Sequence, residues 1–282
     1  MKIILYLLIY VALPGKIMAD TVPLEKLLLG KSVVSDVKVR DHFGAFRVNV
    51  GFTNLTDDTL DFNLESGRIF NSVDPKLQDL VTVHQLHFVL LPHGRKDSMI
   101  YAFCKDKSKR GPTWESELEL GPMSKGKILK VCRFLENKDY NLNTVQHAVW
   151  VASDSIPVSS VFSREDDRTR IEVLRTFLTD MQNGSHTSYM IEYRSNGPDP
   201  SDQVPVYMVL DDEYVVKKEG VVRIVFTDSN GAIVRELLAP TKRPADKFNL
   251  HVRMYLDGLI SGTYFVRVFR DQYQQREWQI EL

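Results

Sequence analysis

Phe46-Arg-Val-Asn-Val-Gly-Phe52 decides how this chain folds. Its aromatic and β-branched residues fall on every second position, with Arg47, Asn49 and Gly51 between them. That period of two belongs to a strand with one face buried, and it cannot be laid on one side of a helix. Upstream, Val37 and Val39 keep the same alternation, and Leu24, Leu27, Leu28 and Leu29 form a short apolar lead-in read as an edge segment. Downstream, the turn cluster Asn54-Leu-Thr-Asp-Asp58 gives way to Leu60, Phe62 and Leu64. Leu80–Leu91 holds one or two more strands, and Met99-Ile-Tyr-Ala-Phe-Cys104 another. Short strands at this spacing, divided by turn residues, predict a β-sandwich.

After the polar loop Lys105–Pro112 the period changes. Ile128, Val131, Cys132 and Leu135 stand at i, i+3, i+4, i+7, one buried face of a helix. A second helix begins near Asn143, read as its N-cap. Gln146 and Trp150 lie four apart on it, so an amide sits beside a large aromatic in an otherwise apolar segment. A buried amide left unpaired costs about 1–3 kcal/mol, so Gln146 needs a partner. Ser163-Arg-Glu-Asp166 opens a connecting helix that buries Ile171, Leu174, Phe177, Leu178 and Met181, with Gly184 as its stop. From Val204 to Leu282 the pattern returns to strands, with Asp228-Ser-Asn-Gly231 as a hairpin turn and Pro240 and Pro244 marking a loop.

The fold class is therefore mainly β with helices. The divisions expected are 1–19, an export signal; 20–160, a β-sandwich with a helical section; 161–186, a connecting helix; and 187–282, an immunoglobulin-like β-sandwich. The signal is read from Lys2, the apolar run Ile3–Leu13, the break at Pro14-Gly15 and the small Ala19. It implies a secreted or cell-envelope protein, and no later segment is apolar for the length of a bilayer span.

Composition narrows the function. The 282 residues carry 36 Lys and Arg against 37 Asp and Glu, a net charge of −1. This gives no electrostatic case for nucleic acid. No glycine-rich phosphate loop, Gly-x-Ser-x-Gly elbow or His-Glu-x-x-His pattern is present, so no cofactor is expected. His84 and His87 are three apart in an expected strand and would face opposite ways, so no metal site is expected either. The acidic pairs Asp57-Asp58, Asp166-Asp167 and Asp211-Asp212 are read as turn and capping residues. Asn54-Leu-Thr56 and Asn183-Gly-Ser185 match the glycan acceptor pattern. Two cysteines, Cys104 and Cys132, leave three states open: a disulfide, two free thiols, or a bond from Cys104 to another group. Cys104 with His147 as its base would make a cysteine-dependent hydrolase.

Phe103-Cys104 together with Val145-Gln-His-Ala-Val-Trp150 resembles the motif pair of bacterial thioester domains, which occur on surface adhesins. The resemblance implies an internal thioester between Cys104 and Gln146, supported by His147 and Trp150, that acylates an amine on a partner. Val222–Val234 and Leu259–Val268 are similar to the immunoglobulin-like C-terminal modules of exported Bacteroidetes-type proteins and of the flagellar hook-cap scaffold protein. Together these imply a non-enzymatic envelope or surface protein that binds a protein or a cell-surface polymer. The alternative is a purely structural envelope or secretion-apparatus component without a thioester.

Overall fold

The alternation at Phe46–Phe52 forms the inner wall of a barrel. The structure is a computed structural model describing residues 21–42, 45–114, 116–197, 199 and 202–282, so the expected export signal lies outside the described residues. The protein is mainly β with a few helices. In the N-terminal unit, helix α1 (Leu24–Leu29) precedes strands β1 (Val33–His42), β2 (Phe46–Asn54), β3 (Leu60–Leu64), β4 (Arg68–Ser72), β5 (Leu80–Thr82), β6 (Leu86–Leu90), β7 (Arg95–Cys104) and β8 (Glu117–Met123). Six of these close in the order β1-β2-β7-β5-β4-β8, and β3 pairs with β6 alongside.

Phe46, Val48, Val50 and Phe52 are all fully buried. Phe62 and Phe88, from the β3–β6 pair, meet Phe52 edge-on at 5.1 and 4.9 Å between ring centres. Gly51 faces the other way, beneath the Arg95–Asp97 ion pair. A Cβ there would lie 2.4 Å from the Arg95 guanidinium, so that flexible side chain packs over the glycine.

The first β unit departs from the expected sandwich in being closed. Its seam is short: β1 meets β8 through Val37–Leu118 and Lys38–Glu117 alone among the described residues. A barrel joined by so few pairs is close to two facing sheets with one edge stitched. Strand β8 escapes sequence reading because Gly121-Pro122 near its end looks like a breaker. It pairs with β4 nonetheless, from Ser72–Leu118 to Arg68–Met123. The apolar lead-in is a helix rather than an edge segment, with Leu24 and Leu27 buried one turn apart in the barrel core. Six residues are too few for a period to show.

Helices α2 (Gly126–Leu135), α3 (Leu142–Ser153) and α4 (Arg168–Gln182) build a second core against Val81, Val83 and Phe103 of the barrel and Met190 and Val209 of the C-terminal unit. Two helix starts differ from expectation. Asn141 caps α3, its side chain accepting from Asn143 N–H at 2.9 Å. Asp167 caps α4. Asp166 instead accepts from Asn141 N–H and the Thr144 hydroxyl, tying the start of α3 to the chain before α4. At the end of α4 the left-handed residue is Asn183, at φ 54°, and not Gly184.

The C-terminal unit comprises β9 (Tyr189–Ser195), β10 (Gln203–Val216), β11 (Gly220–Asp228), β12 (Ile233–Arg243), β13 (Asp246–Tyr255), β14 (Thr263–Arg270) and β15 (Tyr273–Glu281). A β13-β10-β9 sheet and a β12-β11-β14-β15 sheet share one core that includes Ile191, Leu210, Phe226 and Val266. The Asp228–Gly231 turn forms where expected. Gly231 takes φ 84°, and the Asp228 carboxylate accepts from Asn230 and Ala232 N–H. Pro240 lies inside β12 rather than in a loop. An edge strand tolerates proline, since its missing N–H can face outward. Strand β9 was not legible, because its first four residues are all buried and show no alternation.

Candidate functional site

Helix α3 is enclosed on all sides, with Thr144 to Ala152 buried without a break. Within it, Gln146 finds its partner in the backbone of a single residue. Its Oε1 accepts from Cys104 N–H at 2.8 Å, and its Nε2 donates to Cys104 O at 2.9 Å. Among the described residues the pairing of β7 with β2 ends at Ala102–Phe46, and Cys104 lies beyond it. The Gln146 amide thus acts as one more strand residue, satisfying a buried N–H and C=O. The acyl carbon of Gln146 is held against the backbone of the residue that carries the sulfur.

The Cys104 side chain belongs to the barrel core, as does Trp150. Burial pushes the Cys104 thiol well above its ordinary pKa, and the negative charge of Asp199 adds to this. Cys132 sits in the second core, its thiol pushed up to about 12 by burial. Both cysteines are free, and they belong to different cores. This removes the disulfide from the three states the sequence leaves open.

His147, next to Gln146, points toward the C-terminal unit. Its Nε2 lies 3.2 Å from Gln203 Oε1, its ring stacks on Tyr193 at 5.4 Å, and the Trp150 ring meets it edge-on at 5.4 Å. Since Gln203 Oε1 can only accept, Nε2 carries the proton in this arrangement. Burial, with a smaller effect from Lys107, lowers the His147 pKa to about 4. His147 Nδ1 and Trp150 Nε1 are buried without a hydrogen-bond partner. The Lys107 ammonium lies 5.8 Å over the Trp150 ring.

The environment therefore holds Cys104 as a thiol and His147 as a neutral imidazole. A cysteine nucleophile needs the reverse, a thiolate stabilised by a cationic neighbour.

The other sequence candidates have structural roles. His84 falls in the turn between β5 and β6, and His87 bonds Asp61 at 2.7 Å. No metal-ligand cluster occurs among the described residues. Asp211 pairs with Arg168 and His251, and Asp212 accepts from Trp278 Nε1 and Arg276. Asn54 is buried and its amide donates to Asp58 O and Leu91 O, so it is closed to a glycan. Tyr193, Gln203 and Asn141 were not picked out from sequence. Tyr193 and Gln203 reach α3 from strands β9 and β10, and nothing local announces them.

Comparison with protein-family models gives no match, and neither does comparison with curated protein sequences.

Proposed function

We propose that this chain is an exported, non-enzymatic binding protein of the cell envelope, and that Cys104 and Gln146 join in it as an internal thioester. What supports the reading is the docking of the Gln146 amide on the Cys104 backbone, in a place closed to solvent. Sulfur would add to the Gln146 acyl carbon, and the amide nitrogen would leave as ammonia with the thiol proton. An amine on a protein or surface polymer would then attack the same carbon, forming an amide and returning the proton to sulfur. Burial of the pair keeps water from a hydrolysable bond.

Intact mass tests this. A thioester gives a chain lighter by one ammonia, and methylamine adds to it while releasing one alkylatable thiol. Full mass with two thiols alkylatable after unfolding refutes it. One observation favours a second reading, the structural envelope component. Both polar groups of the amide are already satisfied by Cys104, as a packing pin requires. On that reading the mass is full, and Gln146→Ala lowers stability with no covalent adduct at stake.

A further inference from the structure

Outside the β1–β8 seam runs an open groove of about 700 Å3, away from Cys104 and Gln146. Trp114 lines it and is 73% exposed, whereas Trp150 is buried and Trp278 packs against the C-terminal core. A turn holds it there: Ser116 N–H donates to Thr113 O at 2.9 Å, and Thr113 N–H donates to Ser116 Oγ at 2.8 Å. Asp36, Lys38, Arg40, Glu117 and Glu119 line the same groove. Asp36 is engaged by Lys38 and Arg95. Arg40, Glu117 and Glu119 make no side-chain hydrogen bond or ion pair among the described residues.

We propose that this groove binds a neutral polysaccharide chain. An exposed indole offers a flat apolar face to the C–H face of a sugar ring, while hydroxyl groups need donors and acceptors together. The groove supplies both, from the Glu117 and Glu119 carboxylates and the Arg40 guanidinium. With three carboxylates against two cations it has no field to draw a polyanion. From Ser35 to Arg40 it follows about 17 Å of strand, enough for a short run of rings. A peptide added as a strand would have to break the Val37–Leu118 and Lys38–Glu117 pairs that close the barrel. The site does not depend on the thioester.

The test is native affinity electrophoresis of the full chain in gels containing xylan, hydroxyethylcellulose, glucomannan, laminarin or dextran. At least one neutral polymer slows the wild type, and Trp114→Ala weakens that binding by about tenfold or more. Trp114→Phe keeps part of it. Equal urea midpoints for Trp114→Ala and wild type separate lost binding from lost folding. No retardation in any of the five gels overturns the proposal, as does retardation that Trp114→Ala does not alter. Retardation by polygalacturonate alone also overturns it. So does Trp114-dependent capture of phage-displayed peptides with no polymer bound.

Discussion

With the Gln146 amide unreacted, replacing it by alanine removes two hydrogen bonds with one change, and both come from a single buried residue. Cys104 N–H and C=O are left facing a site closed to water. An unsatisfied buried group costs about 1–3 kcal/mol, so the pair puts the loss at about 2–6 kcal/mol before any cavity is counted. A domain's whole stability is about 5–15 kcal/mol, so the low end is measurable and the high end threatens folding. Because two cores share the load, global unfolding is a blunt probe. Exchange of the Cys104 amide hydrogen is a direct one, and a local loss of about 2 kcal/mol speeds it about 30-fold. Gln146→Glu separates charge from shape. It keeps the acceptor for Cys104 N–H, but must stay protonated to donate to Cys104 O. Its folded pKa is then raised above the unfolded value of about 4.3. Stability is therefore near that of wild type below this value and falls as pH rises through the folded pKa. If Gln146→Ala costs under about 1 kcal/mol and leaves Cys104 exchange unchanged, the amide is not the pin described here.

Three further outcomes follow from the same geometry. His147 titrates at about 4 when folded, against 6.5 when free. Its depressed pKa means stability is lost as pH falls from about 6.5 through 4, by about 3 kcal/mol in all, and His147→Phe removes that slope in urea midpoints taken across this range. Asn141→Ala costs about 0.5–2 kcal/mol and Asn141→Gly only a few tenths. Asn143→Gly, inside the helix and bonded to Tyr193 O, costs more than Asn141→Gly, a ranking that helix stability in urea can reverse or uphold. Arg68 is fully buried between Glu25 and Glu65. Replacing both acids by alanine strands its charge and costs about 3–5 kcal/mol, whereas Arg68→Met costs less, as urea unfolding of the two variants will show.

The strands with clear alternation, β2, β3 and the end of β7, were legible because one face of each meets the core and the other does not. Strand β9 was hidden because its start is covered on both faces, and α1 because a helix of six residues shows no period. The start of α3 was misplaced by two residues. Asn141 and Asn143 are equally good caps in isolation, and Asp166, distant in sequence, holds Asn141 in place. Of the site, Cys104, Gln146, His147 and Trp150 could be picked out by type and spacing. Tyr193 and Gln203 could not, since they matter only through where β9 and β10 pass.

By itself the sequence determined that this is a mainly β protein with helices after the first strands, because hydrophobic period is a local property of the chain. It also determined that Gln146 would be buried and in need of a partner. Which partner was decided only by tertiary structure. Beyond the last described β2–β7 pair, Ala102–Phe46, an amide forty-two positions along the chain serves as the ladder partner of Cys104. The same is true of the two cysteines. Their number is written in the chain, but only the packing of a barrel against a helical layer sets them in separate cores.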